Sequence, residues 1–396
     1  MNSRNNLPSS TPSTPVLTSR LPAVGTTVFT RMSTLAAQAN AVNLGQGFPD
    51  FACERSLLQA VNDAMQADFN QYPMMTGAPV LRQAIVAKIA AIYGHQYDVN
   101  TDITVTAGAT QALTTAILCC VHPGDEVIVI EPSYDSYVPA ITLAGGVPVL
   151  VRMEAGAQGY TVPWSAVAAA VNGKTRLIVI NTPHNPTGSV LRAADLQALA
   201  DIVRGTDVLI LSDEVYEHMV YDGQRHESVC RHPELAARAF VVSSFGKTYH
   251  VTGWKIGYVA APAALSAEFR KVHQYNVFSV NTPMQHGIAS YMADPKPYLE
   301  LPAFYQRKRD LFRDGLKHSR FELLPADGTY FQCVRYDKIS TQTEAQFAEW
   351  LTTEIKVAAI PVSAFYQQGK ESGIVRFCFA KKDDTLALAL ERLGKV

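Results

Sequence analysis

Short runs that are apolar on both faces alternate along the chain with longer stretches whose apolar positions follow the helical period. Residues 127–130, 177–180, 208–211 and 240–242 are such runs. Strands read this way when helices cover both faces of their sheet. Ile180 and Leu211 are 31 residues apart, as are Leu211 and Val242, close to the roughly 30 residues of a βα unit. The pattern predicts an α/β fold with a mostly parallel sheet between helices. Another strand is predicted at 103–106, followed by the turn Ala107-Gly108-Ala109-Thr110 and a helix over 111–118. Amide groups at such a helix start suit a phosphate. Beyond residue 300, charged helical segments (305–318, 342–355) alternate with strand-like pieces (328–334, 375–379), which predicts a smaller α+β unit. The expected organisation is an arm over 1–27, a first part of the small unit over 28–53, a large unit over 54–300, and the rest of the small unit over 301–396.

The residues after each predicted strand carry the chemistry. The first run leads into Glu131-Pro132-Ser133-Tyr134, the second into Asn181-Thr182-Pro183-His184-Asn185-Pro186-Thr187-Gly188. The third ends at Ser212-Asp213-Glu214, the fourth at Ser243-Ser244-Phe245-Gly246-Lys247. Ligands of open α/β sheets sit beyond the carboxyl ends of the strands, so these clusters predict one composite site.

Composition narrows the partners. Thirty-five acids against 34 bases leave a formal charge of -1, which argues against a broad nucleic-acid or anionic-membrane surface. Two charge-free stretches, 103–124 and 272–293, are interrupted by Gly, Pro, Thr, Gln, Asn or His, so neither reads as a membrane span. The six cysteines form no CxxC pair. Reduced core thiols are therefore expected rather than a disulfide framework, and no metal site. Residues 1–20 are rich in Ser, Thr, Asn and Pro and carry only Arg4 and Arg20 as bases. They lack the amphipathic period of a transit peptide and read as a disordered arm, with a cytoplasmic location expected.

Several familiar motifs fail. Gly45-Gln46-Gly47 begins like a dinucleotide fingerprint, but Asp50 stands at the third glycine. Gly246-Lys247-Thr248 ends like a phosphate-binding P-loop, but Val241 replaces its first glycine. Ser244-Phe245-Gly246-Lys247 fits S-x-x-K, yet the S-D-N and K-T-G partners of that serine chemistry are missing.

Lys247, at a strand end, is placed for partial desolvation, which lowers an amine pKa and makes it a nucleophile for carbonyls. Asp213 follows four apolar residues, where a carboxylate is costly unless it meets a cation such as a protonated pyridine nitrogen. Tyr216 lies within a short turn of it. Taken singly, the three also read as a solvated lysine, a helix N-cap and a core tyrosine.

Taken together, these segments resemble the class I/II aminotransferases, pyridoxal-phosphate enzymes of fold type I, over nearly all of the chain beyond about residue 21. The resemblance is carried by Asn43-Leu44-Gly45-Gln46-Gly47-Phe48-Pro49-Asp50, Asn185-Pro186-Thr187-Gly188, Ser212-Asp213-Glu214-Val215-Tyr216 and Ser244-Phe245-Gly246-Lys247. Thr252-Gly253-Trp254-Lys255-Ile256-Gly257-Tyr258 and Val375-Arg376-Phe377-Cys378-Phe379 add to it. Within the class, His273-Gln274-Tyr275-Asn276-Val277-Phe278-Ser279 is similar to the branch of methionine, kynurenine and glutamine transaminases.

The resemblance implies a Schiff base between Lys247 and pyridoxal 5'-phosphate, Asp213 at the pyridine nitrogen, and Tyr216 and Asn185 at the ring hydroxyl. It implies Tyr134 stacked on the ring, and Ala109, Thr110, Ser244 and Lys255 on the phosphate, with Tyr72 reaching in from a second subunit of a homodimer. It further implies Arg376, Asn185 and the Gly47 backbone as the substrate-carboxylate site, with Phe29 and a neighbouring subunit's Phe278 lining the side-chain pocket. Lys255 departs from the arginine that many aminotransferases carry there; it offers a point charge rather than a fork and is shared with the methionine and kynurenine branch.

The expected activity is amino transfer from methionine or an aromatic or hydrophobic amino acid to a 2-oxo acid. Kynurenine and glutamine are further expected donors, because the pocket offers Phe29 and Phe278 and no second cation for a dicarboxylate. A C–S β-lyase on the same scaffold is the alternative, and a non-catalytic pyridoxal-phosphate sensor is disfavoured by the lack of any DNA-binding extension. The low charged fraction, 17% against about 25% in typical soluble domains, fits a large dimer interface.

Overall fold

The computed structural model describes residues 17–156 and 159–396. The disorder expected of residues 1–20 falls mostly on 1–16, outside the described residues. A seven-stranded sheet forms the centre of the larger unit. Its strands are β1 (Ile103–Thr106), β2 (Glu126–Glu131), β3 (Val147–Arg152), β4 (Thr175–Asn181), β5 (Leu209–Asp213), β6 (Ala239–Ser244) and β7 (Gly257–Ala260), in the order β1-β7-β6-β5-β4-β2-β3. All pairings are parallel except the two that β7 makes.

Alternation explains the doubly apolar runs. Ile128, Ile130, Ile178, Ile180, Ile210 and Val241 point into one core. Val127, Val129, Leu177, Val179, Leu211, Phe240 and Val242 point into the core on the opposite face. Both faces are covered by helices, so neither set carries polar positions. The run pattern does not reveal β3, an edge strand whose pattern is half-exposed, or β7, only four residues long and opening on a glycine.

The smaller unit carries an antiparallel sheet of β8 (Glu322–Leu323), β9 (Phe331–Arg335), β10 (Ile360–Pro361) and β11 (Ile374–Cys378), in the order β8-β9-β11-β10. Its core is rich in aromatics, among them Phe312, Phe347 and Phe377. Helix α1 (Val28–Gln38) contributes Met32 to this core, and Val42–Asn43 pairs in parallel with Val357–Ala358. The helix expected over 342–355 begins later, at Glu344, because Thr343 caps it: the Thr343 hydroxyl accepts from the Gln346 amide at 3.3 Å, and the Gln346 side chain returns the bond at 3.2 Å. It passes into a π-turn over Leu351–Ile355. Among the described residues no helix is long and apolar enough to cross a membrane, and no His, Cys, Asp and Glu group has the makings of a metal site.

One glycine ties the sheet to the turn below it. Gly257 pairs with Ser244 on one side and Thr106 on the other. A Cβ there would lie 2.8 Å from the Ser243 carbonyl oxygen, 3.1 Å from the Gly108 carbonyl carbon and 3.2 Å from the Ala109 nitrogen. All three are backbone atoms held by strand or helix, so they have no room to yield. Gly257→Ala is expected to destabilise the protein by about 1–3 kcal/mol, seen as a lower urea midpoint at unchanged slope; wild-type stability would contradict this packing.

Candidate active site

The polar ends of β4, β5 and β6 converge on one cavity of about 280 Å³, which Arg376 of β11 also reaches. Register brings them together: Asn181 stands opposite Asp213, and Asp213 opposite Val242. The turn Gly108-Ala109-Thr110, Tyr134, Asn185, Tyr216, Ser244, Lys247, Lys255, Gly47 and Phe29 line the same space.

Asp213 is buried, and its hydrogen bonds come from uncharged donors. Tyr137 donates its hydroxyl to Oδ2 at 2.7 Å, and the Val215 amide donates to Oδ1 at 3.3 Å. The backbone carbonyl accepts from Asn181 Nδ2 at 2.8 Å and from the Thr182 amide at 3.0 Å, which locks the strand end. Burial pushes the carboxyl up to about 6, against the pull of Tyr137. Lys247 shifts the other way for the same reason: burial brings its amine down to about 8. Its Nζ donates to the Gly47 carbonyl at 3.1 Å and lies 5.6 Å and 5.7 Å from the ring centres of Tyr216 and Tyr330.

Arg376 sits in β11 at 1% exposure. Nη1 donates to Asn185 Oδ1 at 2.6 Å and Nη2 to the Gly45 carbonyl at 3.2 Å. Among the described residues Nε has no partner. The Phe331 ring lies 3.8 Å below the guanidinium carbon, with Phe365 at 4.9 Å and Phe29 at 5.7 Å. The guanidinium is thus held by an amide, a carbonyl and aromatic faces, with no carboxylate among its hydrogen-bond partners in the described residues.

The turn after β1 is shorter than its sequence suggests, because the helix expected from 111 already begins at Ala109. Gly108 takes φ +78°, a conformation that favours glycine, and α2 (Ala109–Cys120) starts directly after it. The Ala107 amide is capped by Gln111 Oε1 at 2.9 Å, and Thr110 Oγ1 lies 3.2 Å from the Tyr134 hydroxyl. Lys255, in left-handed backbone after the turn Thr252–Trp254, crosses over Gly108, its Cε 3.2 Å from where a Cβ would be.

Tyr72 and Phe278 are not in the cavity of this chain. They lie together on the surface, 81% and 42% exposed, with their rings edge to face at 5.4 Å. Residues that sequence reasoning missed complete the site. Tyr137 is one helical turn beyond Tyr134, a spacing that offered a signal. Tyr330, whose hydroxyl donates to the Gly47 carbonyl at 2.6 Å, and Phe331 come from a strand-like piece with no polar mark of its own.

The fold and this cavity define an aminotransferase. Residues 39–393 match the family model of class I and II aminotransferases, and the chain belongs to that family. It is 51% identical over 379 residues to the methionine aminotransferase of Escherichia coli (strain K12), an alignment covering 96% of this chain and 98% of the relative. A solved structure of YbdL from Escherichia coli, reported as identifying a methionine aminotransferase function, matches with a TM-score of 0.95 at 49% identity, covering 97% of this chain and 100% of that one. The probable N-succinyldiaminopimelate aminotransferase DapC of Mycobacterium tuberculosis is 39% identical over 95% of this chain and 97% of its own. The kynurenine–oxoglutarate transaminase of Dictyostelium discoideum is 35% identical over 94% of each.

The lowered Lys247 pKa has a direct readout. In protein without cofactor, the rate of Lys247 acylation by an amine-selective reagent, followed on its peptide by mass spectrometry, is expected to rise with a midpoint near pH 8. A midpoint near the ordinary lysine value of about 10.4 would contradict the desolvation.

Proposed function

We propose that this aminotransferase uses pyridoxal 5'-phosphate and moves the amino group of methionine, or of an aromatic or other hydrophobic amino acid, to a 2-oxo acid. The observation that carries the reading is a single cavity whose buried Asp213 and Arg376 form no ion pair with each other or with a hydrogen-bonded charged partner among the described residues. Asp213 takes its hydrogen bonds from neutral groups, and Arg376 Nε has no partner among the described residues. A protonated pyridine ring, a phosphate and an α-carboxylate fit Asp213, the Gly108–Thr110 turn with Lys255, and Arg376 in turn.

The cofactor, when bound, supplies an acceptor for the electrons released as the substrate Cα–H bond breaks. Asp213 stabilises positive charge on the ring nitrogen, and Tyr137 keeps that carboxylate oriented. Tyr216 and Asn185 would serve the ring hydroxyl, and Tyr134 would face the ring. Ala109, Thr110, Ser244 and Lys255 hold the phosphate. Lys247 would hold the cofactor, and its amine would take the proton from the substrate Cα and return it as a general acid. An amine titrating near 8 is suited to both roles at neutral pH. Arg376, Asn185 and the Gly47 backbone orient the substrate carboxylate.

Substrate choice follows from what surrounds Arg376. Phe29, Phe331 and Phe365 supply aromatic walls. The cations of the cavity are Lys247, Lys255 and Arg376, each with a task, so none remains for a side-chain carboxylate. Methylene-sized differences in such a pocket are worth only about 1–3 kcal/mol, which favours a broad donor range. The exposed Tyr72–Phe278 pair supports a homodimer in which each subunit lends these rings to its partner's site. Six free cysteines suit the reducing cytoplasm.

Reconstituted protein mixed with methionine and a 2-oxo acid is expected to form a new amino acid from the acceptor, with aspartate a poor donor. Lys247→Ala is expected to lose at least about 10³-fold in turnover. Near-normal turnover by that variant would remove the lysine from its role, and release of pyruvate and ammonia from S-substituted cysteines without amino transfer would favour the β-lyase.

A further inference from the structure

Four successive backbone carbonyls, from Gly45 to Phe48, each accept a hydrogen bond from a cationic side chain. Gly45 accepts from Arg376 Nη2 at 3.2 Å and Gly47 from Lys247 Nζ at 3.1 Å. Gln46 and Phe48 accept from one ammonium, Lys381 Nζ, at 3.5 Å and 2.8 Å. Arg376 and Lys247 have evident work in the cavity. Lys381 lies outside its lining, is only 4% exposed, and spends both hydrogen bonds on this strip rather than on a carboxylate. We infer that Lys381 is a positioning residue for substrate binding, which fixes the Gly45–Phe48 strip so that Arg376 presents its guanidinium to the substrate carboxylate.

A buried ammonium is costly unless hydrogen-bonded, and a methionine would fill the same space without that cost. The carbonyls account for the lysine: at 46 and 48 they belong to a loop outside the strands, and Lys381 is the donor that each receives. Lys381 is itself held in register. Lys308 Nζ donates to the Lys381 carbonyl at 2.7 Å, and beyond the strip Asp50 accepts from the Lys382 amide at 2.6 Å. On the strip's near side the Cys378 amide donates to Leu44 at 2.7 Å. The strip is thereby tied to the segment that follows Arg376. It also lies flat on Phe331, where a Cβ at Gly47 would come within 2.9 Å of the ring. Without Lys381, the carbonyls of Gln46 and Phe48, on either side of Gly47, lose their donor, the strip turns, and the Gly45 bond that sets the Arg376 plane is lost. This acts on carboxylate binding before and during the reaction alike, so KM rises more than kcat falls.

The inference rests on Arg376 being the carboxylate receptor, and the experiment separates the two. In cofactor-loaded protein, binding of 3-phenylpropionate is read from the cofactor absorption, alongside methionine kinetics, for wild type, Arg376→Gln, Lys381→Met and Lys381→Gln. Lys381→Met is expected to raise the 3-phenylpropionate Kd and the methionine KM at least about tenfold, with kcat within about threefold. Lys381→Gln, whose amide still donates to a carbonyl, is expected to recover part of that loss. A Kd within about twofold of wild type in the folded Lys381 variants, or a fall in kcat alone, overturns the inference; if the methionine variant does not fold, the glutamine variant decides. An unchanged Kd in Arg376→Gln would instead overturn the receptor reading beneath it.

Discussion

The site is organised around a buried guanidinium whose hydrogen bonds go to an amide and a peptide carbonyl. Removing such a cation from water is expensive. Arg376 is compensated by Asn185 and the Gly45 carbonyl and by the Phe331 face at 3.8 Å, a contact worth about 2 kcal/mol or more when desolvated. These partners come from distant parts of the chain. Asn185 follows β4 of the large unit, Gly45 precedes the large unit, and Phe331 and Arg376 are on neighbouring strands of the small unit. The two units therefore meet where the charge is, and β11 needs its aromatic neighbours as much as the cavity needs Arg376.

The same desolvation shapes the other charges. Asp213 is pushed up to about 6 and Lys247 down to about 8, so acid and amine are drawn towards neutrality by one cause. In the proposed reading, a ligand that brings a ring cation and a carboxylate would offset the burial of Asp213 and Arg376. The cavity is of modest volume, and its polar groups converge among aromatic walls.

Much of this was legible in the sequence, and the reasons are local. Strands buried on both faces betray themselves by unbroken apolar runs, so β2, β4, β5 and β6 and the polar residues at their ends stood out. Lys247, Asp213 and Arg376 stood out because a charged residue at an apolar strand end, or within one, is unusual, whereas Asn185 was singled out by the family resemblance. Strands β3 and β7 were hidden, one by its half-exposed edge and one by its brevity. Tyr330 and Lys381 were hidden because aromatic and basic residues near a strand end carry no mark of what they touch: each donates to carbonyls of the Gln46–Phe48 segment, distant in sequence. Tyr72 and Phe278 were expected at the cofactor and the substrate pocket only through family resemblance, and in a single chain they lie together on the surface.

In the proposed function, Arg376 is left without a carboxylate so that the substrate's can complete it. A crystal structure of the cofactor-loaded protein with a non-reacting carboxylate, such as 3-phenylpropionate, tests this most directly. The carboxylate is expected to pair with the guanidinium through Nε and one Nη, at about 2.7–2.9 Å, with the Asn185 bond kept. A carboxylate seated elsewhere in the cavity, with Arg376 still bonded only to Asn185 and Gly45, would contradict it.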